Sequence, residues 1–386
     1  MNNHRALITL CIVGFASNAS FGLLFPALPY YAEGMGASPS EVGLTVAGYS
    51  YATAIALIHF GMLSDKVGHR RMLVVGLVLY TLVPLFYPLA NNLAQLGLVR
   101  AFHGLACAAF FPAATALVLG SSTQKRWGEA LGWLTTATQS ALVLGPALGG
   151  LLLNHYGFKA VFYSCGVIPL LGLIFILFRL AAIQPEGARA AISNGSRSWL
   201  RQPAVFAGLL APFFFTVGSG TILVFMPLYS QDLGINEAGA GIIIAAVYIG
   251  STLLRVPGGK LSDKIGRRLV MLLGLVISGV AIVLVSLANF YFALIAMAIF
   301  YGVGMGMAMP AAYALVADLT PPEMRGLTMG MTSSFLHAGL AIGPTVMGIV
   351  ASMSNYSTMF RTCSLSLILG VIVVFGLTRG RRQARP

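Results

Sequence analysis

About a dozen uninterrupted apolar stretches, each of roughly 20 residues or more, follow one another along this chain. A helix of that length crosses a hydrocarbon layer about 30 Å thick. Inside lipid every backbone N–H and C=O must be satisfied within the protein, so only helices or closed barrels can span it. The stretches are continuous and do not alternate, which selects helices. The spans read as 6–31, 42–63, 70–90, 93–119, 128–154, 158–180, 203–230, 238–260, 269–288, 291–317, 326–353 and 357–378. Composition closes off the other classes. Of 386 residues 58% are apolar and 9% charged, against roughly 25% charged in an average soluble domain. A soluble enzyme, a disordered chain and a disulfide scaffold are thereby excluded. Cys11, Cys107, Cys165 and Cys363 lie inside apolar runs and form no CxxC pair, so they read as packing residues.

Charge sets the orientation. Lys and Arg number 23 against 10 acidic residues, a net +13, and basic loops are retained on the cytoplasmic side. An even number of spans then puts both termini in the cytoplasm, with the tail Arg379, Arg381, Arg382 and Arg385 agreeing. Lys159 and Arg361 fall outside, and Arg100 and Arg255 fall within spans. No basic run is interleaved with aromatics, so no nucleic-acid partner is expected. Arg5 precedes a run reaching about Tyr31, too long for a cleaved signal's apolar region. The polar, basic stretch 181–202 reads as a cytoplasmic linker between an N-terminal bundle, 1–180, and a C-terminal bundle, 203–386.

The two bundles are copies of one unit. A shift of 198 residues aligns 29–172 with the second half without a gap, placing Pro29 on Pro227, Gly43 on Gly241, Gly104 on Gly302 and Gly145-Pro146 on Gly343-Pro344. Eleven Gly–Gly coincidences fall in that window; composition alone predicts about two, so the chain is internally duplicated. Six spans per copy implies like-oriented halves related by an axis along the membrane normal.

The most specific local pattern follows the second span: Gly61-Met-Leu63-Ser64-Asp65-Lys66-Val-Gly68-His69-Arg70-Arg71, repeated as Gly259-Lys-Leu261-Ser262-Asp263-Lys264-Ile-Gly266-Arg267-Arg268. It reads as a tight turn, with Gly61 allowing close helix approach, Gly68 a positive φ, and the cations at anionic headgroups. The pattern resembles the signature loop of the major facilitator superfamily, Gly-x-Leu-small-Asp-basic-x-Gly-basic-basic, and the resemblance covers nearly the whole chain. It implies an all-α membrane protein of 12 transmembrane helices in two pseudo-symmetric six-helix bundles. It also implies gating roles for Gly61, Asp65, Gly68, Arg70, Arg71, Gly259, Asp263, Gly266 and Arg268. By the same likeness Asp65 would contact the start of span eleven near Arg325–Thr328, and Asp263 the start of span five near Arg126–Glu129. Without the resemblance, these loops could serve only to fix topology.

Other motifs follow. Arg100-Ala-Phe-His103-Gly104 resembles the family's Arg-x-x-Gln-Gly with His for Gln. The resemblance gives Arg100 a part in proton coupling or helix contact; the alternative is that it snorkels or caps carbonyls. His103 reads as a titratable group or as an ordinary hydrogen-bonding substitute. Ala141-x-x-x-Gly145-Pro146-x-x-Gly149-Gly150 resembles the span-five pattern of drug:proton antiporters, with kinks expected at Gly145, Pro146, Gly343 and Pro344. The family likeness puts the cavity on spans one, four, seven and ten. Asn18, Arg100, His103, Gln139, Arg255, Tyr301 and His337 are the candidate coupling or substrate residues. Arg255 has a simpler reading as a partner of Asp318.

All ten acidic residues fall in loops or at span ends: Glu33, Glu41, Asp65, Glu129, Glu186, Asp232, Glu237, Asp263, Asp318 and Glu323. A cation exporter usually needs a buried carboxylate. The expected substrate is therefore a neutral lipophilic or anionic small molecule, with protons carried by Glu33, Asp65 or the histidines. The expectation is a monomeric secondary transporter of the inner membrane, needing no cofactor or metal and having no enzymatic activity. It would work by alternating access as a proton-coupled exporter of lipophilic small molecules, or alternatively in uptake or exchange of a small organic anion.

Overall fold

In the computed structural model, residues 2–123, 126–179, 202–321 and 324–379 are described. The linker 181–202 apart from Gln202, the tail beyond Arg379, Glu186 and Glu323 lie outside them, as does the side chain of Arg325. The described residues hold no β-strand. Eleven helices are long and apolar enough to cross a membrane. They are α1 (Asn2–Gly34), α2 (Pro39–Val67), α3 (His69–Leu82, extended by a 3-10 helix, Val83–Leu89), α4 (Leu93–Gly120), α5 (Trp127–Arg179), α6 (Pro203–Asp232), α7 (Glu237–Ile265), α8 (Arg267–Val285), α9 (Tyr291–Leu319), α10 (Arg325–Met353) and α11 (Tyr356–Thr378).

The 53 residues of α5 would measure about 80 Å as one straight helix. Its helical dihedrals break at Gly157 (φ 76°, ψ −178°), so it comprises two spans and brings the total to twelve. The helix continues through Pro146, and α10 continues through Pro344. The 3-10 segment after α3 has a local cause. Pro84 and Pro88 remove two backbone donors there, whereas the second copy has Ile282 and Ser286 and stays α-helical through Val285.

Two compact units emerge from the packing. One comprises Met1–Ala37, Thr45–Arg189 and Gly234–Ala245; the other comprises Ser38–Leu44, Ala190–Leu233 and Ala246–Pro386. Within each, large apolar side chains such as Ile55, Leu171, Phe178, Leu253 and Ile372 face outward, while glycines and hydroxyls lie inside. This suits a lipid surround, where close backbone approach drives helix association. Buried hydroxyls return to their own helix: Ser17 donates to the Val13 carbonyl at 2.9 Å and Thr221 to that of Val217 at 2.8 Å.

The duplication recurs contact by contact. A Cβ on Gly104 would strike the Tyr49 carbonyl oxygen, and one on Gly302 the Val247 oxygen, 198 positions on in both members. Gly76 lies against Phe110 as Gly274 lies against Ala308. The Tyr31 hydroxyl donates to the Ala90 carbonyl (3.4 Å), as that of Tyr229 does to Ala288 (3.2 Å).

Candidate functional site

The signature segment is tighter than a loop. α2 runs to Val67 and α3 starts at His69, leaving only Gly68 between them at φ 102°; Gly266 does the same at φ 100°. Asp65 and Asp263 thus stand on the last turn of a helix, the negative end of its dipole, and each meets a group on the next helix. The His69 Nε2 is 3.8 Å from Asp65, while its Nδ1 is 2.8 Å from the Ser64 hydroxyl. In the second copy Arg267 bonds Asp263, donates to Ser262 at 2.8 Å and reaches Asp318 at 3.3 Å. Asp318 is thereby held by Arg267. Arg268 lies 4.6 Å from the Phe375 ring, Arg70 is half-buried and Arg71 exposed. Gly61 and Gly259 do not serve close approach. A Cβ there would meet Pro112 at 3.9 Å and Pro310 at 4.0 Å, ordinary contacts that alanine would also make.

Among the described residues, a buried pair of basic side chains stands on α4. Arg100 is 3% exposed and His103 fully buried, three residues apart and so on one helix face. The approach of α2 creates the setting. Gly48 lets α2 come to 3.1 Å from the Gly97 carbonyl and 3.5 Å from the Arg100 Cβ, counted from an added Cβ. Thr53 donates to the Tyr49 and Gly104 carbonyls at 2.8 and 3.0 Å, closing the α2–α4 crossing. Arg100 donates from Nε (3.1 Å) and Nη2 (3.0 Å) to the Val46 carbonyl. Its guanidinium lies 4.9 Å from the Tyr49 ring centre and 5.9 Å from that of Phe21. Among the described residues Nη1 is buried without an acceptor.

His103 is ringed by tyrosines. Tyr49 and Tyr80 meet it edge-on at 5.6 and 5.2 Å, and the Tyr87 hydroxyl is 3.0 Å from Nδ1. A buried hydroxyl proton seeks an acceptor, which assigns Tyr87 as donor to Nδ1 and leaves the ring proton on Nε2. That Nε2 has no partner among the described residues. Tyr49, Tyr80 and Tyr87 lie on the second and third spans, outside the spans to which the family likeness assigns the cavity. The repeat offered a signal. Their counterparts are Val247, Ser278 and Val285, and those of Arg100 and His103 are Ala298 and Tyr301.

The remaining candidates lie on other helices. Asn18 donates to the Gly14 carbonyl at 3.1 Å, within its own helix. Gln139, Arg255 and His337 sit half-buried on α5, α7 and α10. Tyr301 donates to the Phe215 carbonyl at 2.6 Å and lies 3.0 Å from the Ser219 hydroxyl. Gly145 and Gly149 let α1 pack on α5 through Gly22 and Leu23, and Gly343 lets α10 pack on α6 at Val217, so these motifs form seams between helices. The Pro146 carbonyl meets Gly241 within one unit, and the Pro344 carbonyl meets Gly43 within the other. No described carboxylate is buried: seven are exposed and Glu237 is half-buried. Among the described residues no three His, Cys, Asp or Glu side chains could hold a metal ion.

Twelve spans in duplicated six-span copies, with Arg100 buried and no buried acid among the described residues, define a polytopic membrane transporter. The family model described as Major Facilitator Superfamily matches residues 10–229 and 208–386, and the chain belongs to that superfamily. It is 29% identical to a multidrug resistance protein MdtG of Enterobacter lignolyticus, over 99% of this chain and 94% of the relative. It is 25% identical to an uncharacterized MFS-type transporter of Methanocaldococcus jannaschii, over 97% and 99%. In fold it is similar to a bacterial homologue of the human lysosomal transporter Spinster in an inward-facing, occupied conformation (TM-score 0.83, 15% identity, 98% and 97% covered). A nucleoside transporter, NupG, has the same fold (TM-score 0.76, 14% identity, 97% and 100% covered).

Proposed function

We propose that this transporter exports lipophilic small molecules across the inner membrane in exchange for protons, by alternating access, with both termini cytoplasmic. The observation that carries the substrate class is the interior of the helices: aromatic and apolar, with Arg100 buried and no buried carboxylate among the described residues. A multivalent cation would find nothing there to offset its charge. The multidrug resistance relatives support the direction. In this reading Asp65 and Asp263 with their neighbouring cations hold the cytoplasmic ends of the gating helices. The close Gly–Pro contacts at Gly43 and Gly241 serve the outer ends.

The test is transport in proteoliposomes of purified protein under an imposed pH gradient. Movement of a lipophilic neutral or anionic dye against its own gradient, driven by opposing proton flow and abolished by an uncoupler, is expected. Flux that ignores the proton gradient would remove the coupling, and uptake stimulated by co-directional protons would reverse the direction. A second reading, uptake or exchange of a small organic anion, is favoured by Arg100 alone, a buried cation without an acidic partner among the described ion pairs.

A further inference from the structure

We propose that the Arg100–His103 cluster is the seat of an anionic group, and that the substrate is a lipophilic monoanion. Its carboxylate or comparable oxyanion bonds Arg100 Nη1 and His103 Nε2, and its apolar body lies against Phe21 and Phe25. The proposal rests on the reading of the chain as a small-molecule transporter and names the chemistry of what it carries.

Four observations converge. First, the guanidinium is almost wholly buried, yet it bonds the Val46 carbonyl and meets the Tyr87 hydroxyl, both neutral dipoles. A permanent cation taken out of water needs an opposite charge to offset its lost hydration. None of the described carboxylates pairs with it. Second, two buried donors, Nη1 and the Nε2 assigned its proton above, have no hydrogen-bond acceptor among the described residues, and they share one face of α4. A two-oxygen anion presents two acceptors to such a pair. Third, ring contacts leave a direction of approach. Tyr49 lies over the guanidinium at 4.9 Å, so an oxyanion must come to its N–H edge. Phe21 stacks on Tyr49 at 4.3 Å and meets Phe25 edge-on at 4.6 Å, forming an aromatic surface beside the cation. Fourth, the cluster is confined to one copy of the repeat. Ala298 and Tyr301 stand in place of Arg100 and His103, and the Tyr301 hydroxyl is already bonded to Phe215 and Ser219. The Arg–His pair, carried by the first copy and not by the second, selects a single anionic group.

A clamp holding α2 to α4 through Val46 would use the same residue, so the test must separate charge recognition from structure. Purified full-length protein is titrated with three probes of one shape: naphthoate, naphthamide and naphthylmethylammonium. Thermal stabilisation reports binding. Naphthoate is expected to stabilise the protein, naphthamide weakly, and the ammonium probe not at all. Arg100→Gln is expected to weaken naphthoate about tenfold or more, the scale of a charged hydrogen bond, with naphthamide unchanged. Arg100→Lys is expected to retain part of the preference, and it serves if Arg100→Gln does not fold. His103→Phe is expected to reduce the carboxylate-to-amide ratio about threefold or more. Equal binding of acid and amide, or loss of both together in the Arg100 variants, would reduce Arg100 to a clamp and overturn the proposal. Preference for the ammonium would overturn it as well. The transport reading fails separately, if naphthoate binds as expected but no probe crosses a proteoliposome membrane.

Discussion

A methyl group added to Gly104 would drive into the Tyr49 carbonyl, and one added to Gly302 into the Val247 carbonyl. Both targets are backbone, which cannot swing aside as a side chain can. Gly104→Ala and Gly302→Ala are therefore expected to cost about 1–3 kcal/mol each, read as a lowered melting temperature in detergent. Gly132 and Gly330 are controls on α5 and α10, with nothing within 4 Å of an added Cβ. Alanine there is expected to be neutral or to stabilise by about 0.5–1 kcal/mol through helix propensity. In the sequence all four are equally a glycine within an apolar run. What separates them is how near a second helix comes, and no local pattern carries that distance. Arg100 and His103 were legible as residues out of place in a span. The Val46 carbonyl and the three tyrosines were not, because ring contacts across α2, α3 and α4 depend on helix rotation.

At the scale of the element, the two signature turns diverge despite their shared backbone. Each is a single glycine at φ near 100°, but Arg267 ties together Asp263, Asp318 and Ser262, whereas among the described residues His69 meets Ser64 and Asp65 alone. The counterpart of Asp318 is Gly120, so the first turn has no third member. An imidazole pairs with a carboxylate as a cation only when protonated, while a guanidinium always does. His69→Arg is expected to stabilise the protein by less than about 1 kcal/mol, because the pair is partly exposed to solvent. The same change at the first turn together with Gly120→Asp is expected to exceed the sum of the two single changes, as measured by a double-mutant cycle on melting. Simple additivity would show that the second copy's arrangement does not transfer. Proline has a comparable local effect. Pro84 and Pro88 turn the end of the third span into a 3-10 helix and so set where Tyr87 faces His103.

For the molecule as a whole, the charge inventory is the strongest functional constraint. With its described acids at helix ends and exposed or half-buried, the transporter is expected to discriminate against lipophilic cations. In growth assays, cells expressing it are expected to gain several-fold tolerance to lipophilic acids and none to quaternary ammonium compounds. The opposite ranking would contradict the charge argument at every scale.

Span count, duplication and signature turns were readable in the linear chain, because each depends on neighbours in sequence or on a constant offset of 198 residues. Hydrocarbon enforces this legibility, since a backbone with no water around it can only be helical. The tertiary structure decided which glycines are indispensable, which tyrosines surround His103, and that Arg100 rests on a carbonyl and not on a carboxylate. Those outcomes depend on which faces of separate helices meet, and hydrophobicity is nearly the same on every face of a helix buried in lipid.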